Sequence, residues 1–458
     1  MGLVVNVLVW SLGGVATLAA IFLLSLYIRG AFRWRSLMHI EGAIAPDDSR
    51  FALMVKSLSA SLLSEGKIVG FWDTADSIQQ ARLAAIASAQ RSIQFETFMM
   101  TPGLRAQDFA AALAQKAAEG VRVQILADGF GARSLPDKYW RRLRSAGVQV
   151  VFFNPFDWQA PANFAGRTHR KLLIIDSDRA LIGGAGISDL WDGHEKSDDT
   201  RPWFDVEIAL AGEVVSMLSM IFQKHWQGHR RKHSNVTHLD VAGAFSPTAS
   251  GRNPQADTQN NNPAASNSLP TSKQAAILVT ASTKPSYRNS AIERQKQTLI
   301  AAARERIWLS SPYFLPNEST RALLIAAHNS GVDVRILTTS DRSDKKLVYY
   351  ASYEVYGPLL EAGIQIFEYQ PSMLHAKMLI VDSSWVNTGS ANFDYRSFLH
   401  NDELDILTNS PTLLNKIEET FEKGFQKSER IRLQQWQQRS WLKHRILGNI
   451  VRLVQWQL

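Results

Sequence analysis

The sequence predicts an α/β protein built from two duplicated α-β-α halves that pack face to face, preceded by an N-terminal transmembrane helix. Three observations lead to this prediction. A charge-free apolar segment opens the chain, strand and helix patterns alternate twice in the same order, and one short polar motif occurs in each repeat. Strands that alternate with helices are typical of parallel-rich sheets with helices on their faces.

Composition limits the classes of function. With 45% hydrophobic and 20% charged residues, the chain of 458 residues has an ordinary globular composition. The absence of cysteine excludes disulfides, thiolate metal sites and a cysteine nucleophile. A formal net charge of +8 favours an anionic partner, either a nucleic acid or an anionic membrane surface.

The first apolar segment, residues 4–28, contains no charged side chain and is long enough to cross a hydrocarbon core of roughly 30 Å. It is longer than the apolar region of a signal peptide and lacks a basic region before it. Arg29, Arg33 and Arg35 follow at once, and such basic flanks stay on the cytoplasmic side. We predict that residues 1–35 form a single-pass anchor; a buried core helix is the alternative.

The duplication covers residues 50–235 and residues 276–427. In each half a strand (residues 92–100 or 306–316), a helical stretch and a second strand precede a shorter strand and the polar motif. Each half then ends in a helical stretch. Between the halves, residues 243–273 are rich in Asn, Ser, Pro, Gln and Ala, which predicts a disordered linker because little apolar surface can be buried.

The C-terminal segment, residues 428–458, alternates tryptophan and basic residues at about helical spacing. This pattern predicts an amphipathic helix that lies in an anionic membrane interface. A C-terminal helix packed on its own domain, with a solvated basic face, explains the pattern equally well.

The polar motif has two copies, THRKLLIIDSDRALIGGAGISD (residues 168–189) and LHAKMLIVDSSWVNTGSANFD (residues 374–394). Side chains alternate between the faces of a strand, so His169 and Lys171 point the same way, as do His375 and Lys377. Each copy therefore supplies an imidazole and an ammonium on one surface. Two copies that face each other would surround a single anionic pocket.

Such a pocket suits phosphodiester chemistry. One neutral imidazole can attack phosphorus to give a phosphohistidine, while the opposite imidazolium protonates the leaving alcohol. A pKa near 6.5 makes both protonation states of histidine accessible at neutral pH. The lysines can neutralise the nonbridging oxygens. We expect no metal and no other cofactor, because the motif lacks the carboxylate clusters of a magnesium or zinc site.

Two further groups of motif residues are candidates. Asp176 and Asp382, at the strand ends, are counted among the catalytic candidates, although holding the strand-end turns is an alternative role. The turns that follow could bring small polar groups and backbone N–H groups to an oxyanion. The substrate-binding candidates there are Gly183, Gly184, Ser390 and Asn392.

The second copy matches the pattern H-x-K-x4-D-x6-G-S-x-N of the phospholipase D superfamily, and the chain resembles that superfamily from about residue 66 to residue 427. The first copy departs from the pattern, because Gly184 and Gly186 stand where the superfamily often has Ser and Asn. Segments such as FETFMM, ILADGFGA and IGGAGISDLWDG make the chain most similar to the bacterial cardiolipin synthase group.

The resemblance implies two phospholipase D-like halves and assigns further roles. A carboxylate beyond each motif is expected to orient the catalytic imidazole through its other ring nitrogen, and Asp205 and Glu403 stand at these positions. The resemblance also implies His169 as the nucleophile and His375 as the acid.

Taken with the predicted anchor, the resemblance implies a phosphatidyltransferase of phospholipid biosynthesis, in the bacterial inner membrane with its catalytic part in the cytoplasm. It would make cardiolipin from phosphatidylglycerol, with phosphatidylglycerol or phosphatidylethanolamine as the second substrate. Anionic phospholipids and the membrane are the expected partners, no nucleic acid is expected, and the oligomeric state is left open. The alternatives are a hydrolase that releases phosphatidic acid, a nucleic-acid phosphodiesterase and a catalytically dead membrane scaffold.

Overall fold

The computed structural model describes residues 2–28, 42–158, 165–193, 201–233, 275–285 and 290–453. The predicted linker and the basic flank of the predicted anchor lie outside these residues. The N-terminal helix, α1, spans Gly2–Ile28. Across the described ranges, no helix combines the length and the apolarity needed to cross a membrane. The predicted transmembrane helix is therefore not confirmed.

The remaining helices are α2 (Phe51–Ser59), α3 (Ala75–Ser88), α4 (Leu104–Ala118), α5 (Asp137–Ser145), α6 (Glu213–His233), α7 (Ala291–Ala302), α8 (Glu318–Asn329), α9 (Lys346–Glu361), α10 (Tyr395–Leu399), α11 (Pro411–Gln426), α12 (Leu433–Gln437) and α13 (Asn449–Leu453). The strands are β1 (Leu62–Trp72), β2 (Ser92–Thr97), β3 (Arg122–Asp128), β4 (Gln149–Phe153), β5 (Arg167–Thr168), β6 (Leu172–Ile175), β7 (Arg179–Gly183), β8 (Glu207–Ala211), β9 (Ala275–Ala281), β10 (Arg306–Ser311), β11 (Asp333–Thr339), β12 (Gln365–Tyr369), β13 (Met378–Val381), β14 (Trp385–Gly389), β15 (Asn401–Asp402), β16 (Leu404–Thr408) and β17 (Ser428–Ile431).

Fifteen of the described strands form one sheet, in the order β17-β12-β11-β10-β13-β14-β16-β9-β1-β8-β7-β6-β2-β3-β4. The halves meet where β1 pairs antiparallel with β9, with Leu62 opposite Val279. The expected face-to-face packing is therefore wrong, since the halves join edge to edge. Pairing satisfies the backbone groups that each half alone would expose along its sheet edge.

Each half repeats the same mixed topology. The strands β2, β3 and β4 are parallel, as are β10, β11 and β12, whereas the strands toward the junction are antiparallel. Both faces of β2 and β6 are buried, which explains their continuous apolar character. The predicted α/β class with duplicated halves is confirmed.

Helices cover both faces of the sheet. On one face, α6 and α11 share a core to which both halves contribute, including Phe222 and Phe421. In α11, Leu413, Ile417 and Phe421 recur every four residues and form the buried stripe of an amphipathic helix. On the other face, each half keeps its own core.

The C-terminal segment is not one amphipathic helix, because β17 pairs with the edge strand β12. The short helices that follow pack on α9 of their own half, and the indole Nε1–H of Trp436 donates to Tyr353 O over 2.7 Å. Packing of the C-terminal segment on its own domain was the alternative to a membrane helix. Trp441 and Leu442 nevertheless stay exposed, each with 65% of its surface accessible.

Candidate active site

The two histidine motifs meet across the junction between the halves. The backbone N–H of His169 donates to Asp402 O over 2.8 Å, and that of His375 donates to Phe204 O over 2.7 Å. In each case the acceptor belongs to the other half and directly precedes a predicted orienting carboxylate. This backbone hydrogen bond, here called the backbone bridge, therefore places each carboxylate beside the histidine motif of the other half.

Each imidazole is paired with a carboxylate from the other half. The Nδ1–H of His169 donates to Glu403 Oε2 over 3.0 Å, and the Nδ1–H of His375 donates to Asp205 Oδ2 over 2.8 Å. The carboxylate partner assigns the proton to Nδ1 in both rings. Each Nε2 is then the nitrogen left for a substrate, which is the arrangement expected for a carboxylate that orients a reactive histidine.

The lysines of the motifs reach back to their own histidines. Lys171 Nζ donates to His169 O over 2.8 Å, and Lys377 Nζ donates to His375 O over 2.6 Å. Lys377 Nζ also lies 3.1 Å from His375 Nε2. All four side chains are buried, the histidines with 8% and 6% of their surface exposed.

The electrostatics of this cluster favour a bound anion. Burial lowers the pKa of His375 to about 3, with Lys377 adding to the shift and Asp205 opposing it. Burial also lowers the pKa of Lys377 to about 8. The pKa values of His169 and Lys171 are held well below their usual ranges by burial, and the neighbouring ammonium groups add to the shift. An anion placed among the four groups would raise all four pKa values.

The two orienting carboxylates differ in their surroundings. Burial raises the pKa of Asp205, but the contacts with His375 and Lys377 outweigh it and hold the value at about 2. The indole N–H of Trp191 also donates to Asp205, over 3.0 Å. For Glu403, burial raises the pKa above its usual value in spite of the nearby Lys171.

The turn of the second motif donates a hydrogen bond to Glu403. Ser390 Oγ donates to Glu403 Oε2 over 2.5 Å, and Ser397 Oγ donates to the other carboxylate oxygen over 2.8 Å. Ser390 therefore positions a carboxylate, a role different from the predicted substrate contact. Asn392 remains suited to substrate, because its Oδ1 is buried and has no hydrogen-bond partner among the described residues.

The glycines of the first motif have a packing role. A Cβ atom at Gly184 would collide with the carboxylate of Asp205, and one at Gly183 would collide with Val206 O. Gly184 thus leaves room for Asp205 at the position where Ser390 binds Glu403 in the second half. This explains the departure of the first motif from the superfamily pattern.

Asp176 and Asp382 are not brought into the site, which corrects their place among the catalytic candidates. Asp176 accepts hydrogen bonds from three backbone N–H groups of residues 90–92, over 2.7–2.9 Å. Asp382 does the same for residues 304–306 over 2.8–3.1 Å. Both residues adopt positive φ, at 54°. They tie the motif strand to the start of the neighbouring strand, at the end of the motif strand remote from the histidine.

A buried polar network near His169 has no sequence signature. On α6, His225 Nδ1 lies 2.6 Å from Glu96 Oε1, and His225 Nε2 lies 2.8 Å from Asp402 Oδ2. Thr168 Oγ1 also donates to Glu96, over 2.5 Å. Burial lowers the pKa of His225, but the two carboxylates outweigh it and raise the value. Through Thr168, this network fixes β5, the strand that directly precedes His169.

Aromatic side chains lie beside both motif histidines and were not among the candidates predicted from the sequence. Trp191 and Trp203 place their ring centroids 5.2 Å and 5.7 Å from that of His375. Phe98 lies 5.3 Å from the ring of His169. The segment IGGAGISDLWDG contains Trp191, so its tryptophan was the available signal.

Comparison with known proteins agrees with this geometry. The family model described as "Cardiolipin synthase, PLD-like domain" matches residues 83–193 and 297–424, and each stretch contains one histidine motif. A cardiolipin synthase of Geobacillus kaustophilus is 31% identical over 372 residues, covering 81% of this chain and 68% of the relative. A cardiolipin synthase of Halalkalibacterium halodurans is 29% identical over 401 residues, covering 87% and 72%.

Among solved structures, the phosphatidylserine synthase of Haemophilus influenzae has the same fold, with a TM-score of 0.63 at 13% identity. The match covers 89% of this chain and all of that one. The family model matches about half of this chain and includes both motifs. The chain therefore belongs to the cardiolipin synthase family of phosphatidyltransferases, within the phospholipase D superfamily.

Proposed function

We propose that the protein makes cardiolipin from phosphatidylglycerol through a phosphohistidine intermediate, at a membrane surface. The observation that carries the proposal is the crossed pairing of two imidazoles with two carboxylates around two buried lysines. Duplication has produced one composite site, in which the halves contribute different chemical roles to one phosphate.

In the first step, Nε2 of His169 attacks the phosphorus of the donor lipid. The new P–N bond forms as the P–O bond to glycerol breaks, and His375 supplies the proton that the glycerol oxygen takes up. Asp205 stabilises the imidazolium form of His375 that this step requires. The negative phosphate raises the low pKa of His375, so the substrate itself helps to charge its general acid.

In the second step, a hydroxyl of the acceptor lipid attacks the phosphohistidine. His375, now neutral, takes the hydroxyl proton, the P–O bond of cardiolipin forms, and the P–N bond to His169 breaks. The nonbridging oxygens carry the charge of each transition state. Lys171, Lys377 and the amide N–H groups of Asn392 are the donors that would bind them.

Burial of the site supports transfer over hydrolysis. Both histidines are more than nine-tenths buried, which limits competition from water for the phosphohistidine. A phospholipase D activity that releases phosphatidic acid uses the same intermediate and is the outcome expected if water reaches it. We propose a second phosphatidylglycerol as the acceptor, with phosphatidylethanolamine as the other candidate for the second substrate.

Membrane association is part of the proposal. In α1, Trp10 is 81% exposed, Leu18 69% and Phe22 53%, so this helix presents apolar side chains that the described part of the protein does not cover. An apolar helix of this kind gains free energy in a bilayer. We propose a location at the bacterial inner membrane, with the exposed apolar side chains of α1 attaching the protein to the bilayer and the catalytic part in the cytoplasm.

The test uses the full chain in detergent micelles with phosphatidylglycerol, with and without EDTA, and identifies products by mass spectrometry. The expected products are cardiolipin and glycerol in equal amounts, unaffected by EDTA. His169→Ala and His375→Ala should each abolish both products. Phosphatidic acid without cardiolipin would establish a hydrolase, and loss of turnover with EDTA would contradict the two-histidine mechanism.

A further inference from the structure

The two halves differ at the C-terminal parts of α6 and α11. The helices correspond through their stacked aromatic pairs, since Phe222 and Trp226 lie 5.9 Å apart and Phe421 and Phe425 lie 5.7 Å apart. This correspondence places Gly424 at the position that His225 occupies in the first half.

The other members of the His225 network are replaced as well. Glu96 pairs with the third residue after His169, and Ser310 pairs with the third residue after His375, so Ser310 corresponds to Glu96. By the backbone bridges to the two motifs, Phe204 corresponds to Asp402. The buried ionic network on the His169 side therefore has an aromatic and small-residue counterpart on the His375 side.

A cavity of about 410 Å³ lies at the corresponding place in the second half, with Phe204 and Gly424 among its lining residues. Phe204 and Tyr369 form a stacked wall, with ring centroids 5.2 Å apart. Two cationic side chains of α11 and its end, Lys423 and Lys427, also line the cavity. Lys423 Nζ lies 3.6 Å from Asp73 Oδ2, and its side chain remains 60% exposed. The volume is within the range of small-molecule sites, and the lysines suit an anionic ligand.

Two residues that line the cavity contact His375, the proposed general acid and base. Trp203 lines it and contacts the ring of His375, and Phe204 O accepts the backbone N–H of His375. The N-terminus of α3, capped by Thr74, lies on the same wall and adds positive potential. In an in-line displacement at phosphorus, the incoming hydroxyl approaches from the side opposite the nucleophile, which here is the side of His375.

We propose that this cavity binds the phosphate-containing headgroup of the acceptor lipid and presents its hydroxyl to His375. This rests on the proposed function and assigns the acceptor subsite within it. The asymmetry then has a chemical reason, since the His169 side holds a nucleophile rigid and the His375 side must admit a second substrate. Lys423 and Lys427 recognise the phosphate charge of the acceptor.

The experiment compares the double variant Lys423→Gln/Lys427→Gln with Lys416→Gln, an exposed lysine of the same helix whose ion pair with Glu419 spans 3.0 Å. Glycerol release in the first turnover reports the first step, and the ratio of cardiolipin to phosphatidic acid reports the fate of the intermediate. In the double variant we expect that ratio to fall about tenfold, with glycerol release in the first turnover within about twofold of wild type. Lys416→Gln should match wild type, and Lys423→Arg/Lys427→Arg should restore most of the ratio.

An unchanged product ratio in the double variant, beside a wild type that makes cardiolipin, would overturn the cavity assignment alone. A parallel fall of the first-turnover glycerol release and of cardiolipin would also overturn it, because the lysines would then serve the donor. Soluble glycerol phosphate distinguishes the ligand source, since preferential transfer to it over the lipid would contradict a lipid-headgroup subsite. A wild type that releases no glycerol would overturn the proposed function itself.

Discussion

His375 Nδ1, in the second half of the chain, lies 2.8 Å from Asp205 Oδ2 in the first half, and His169 and Glu403 make the reciprocal pair at 3.0 Å. Neither half therefore holds a motif histidine together with the carboxylate that orients it. The exchange requires the edge-to-edge junction of β1 and β9 to be intact, so folding of the junction and assembly of the site are coupled.

Replacing the carboxylate that orients His375 should slow the reaction with little effect on binding. For Asp205→Asn, we expect kcat to fall at least about a hundredfold with KM within about threefold, because an amide neither fixes the Nδ1–H tautomer nor stabilises the imidazolium. Steady-state kinetics with phosphatidylglycerol provides the measurement. Asp178→Asn, at a side chain 73% exposed, is the matched control. Retention of more than a tenth of kcat in Asp205→Asn would contradict the crossed pair.

Ser390→Ala distinguishes a positioning role from substrate binding. Ser390 donates to Glu403, so its loss should lower kcat roughly ten- to a hundredfold and leave KM nearly unchanged. Ser330→Ala serves as control, since that exposed hydroxyl only bonds Ala326 O within its helix. If KM rises while kcat is retained, Ser390 contacts substrate as the sequence pattern suggested.

The buried ammonium of Lys377 should reduce stability while it supports activity. Its pKa falls from the usual 10.5 to about 8, so between these pH values the unfolded chain binds a proton that the folded chain has lost. Stability of the wild type should therefore rise with pH across that window, and the full penalty applies below pH 8. We expect Lys377→Met to be inactive yet more stable at pH 7 by roughly 1–3 kcal/mol.

Urea unfolding at pH 7 and pH 10 measures this effect, and the gain in Lys377→Met should shrink at the higher pH. Lys416→Met, on an exposed side chain, should unfold like wild type at both values. A Lys377→Met variant that is less stable than wild type at pH 7 would refute the assignment of a destabilising ammonium.

Asp382 should matter for stability and hardly at all for chemistry. Asp382→Ala removes the acceptor of three backbone N–H groups and places alanine at a φ of 54°, which should cost about 3 kcal/mol. Asp382→Asn should cost less, because asparagine tolerates this conformation and keeps one acceptor. We expect kcat within about threefold of wild type below the unfolding transition. A hundredfold loss of kcat in folded Asp382→Asn would restore Asp382 to the catalytic residues.

The sequence was sufficient for the parts of the site that follow from local geometry. His375 and Lys377 share a surface as expected, with Lys377 Nζ 3.1 Å from His375 Nε2, although both residues precede β13 and do not lie in a strand. The repeat indicated that a second pair would join them. Asp205 was found through resemblance, because its contact with His375 crosses between the halves and has no local pattern. His225 could not be found for the same reason, since its partners come from a strand and a segment distant in the chain.

The way the halves join was also beyond local patterns. A strand pattern reports which side chains are buried, but pairing between β1 and β9 is made by backbone groups common to all sequences. Gly184 illustrates a further limit. Its absence of a side chain looked like a weakened motif, and its reason became visible only beside the carboxylate of Asp205.

The most direct test of the central claim is to trap the covalent intermediate. Full-length protein mixed with phosphatidylglycerol is quenched on the millisecond to second scale, digested and analysed by mass spectrometry under conditions that preserve P–N bonds. We predict a phosphatidyl group on His169 that forms and decays at the rate of turnover and is absent from His169→Ala. A modification on another residue, or turnover with no histidine adduct, would contradict the account.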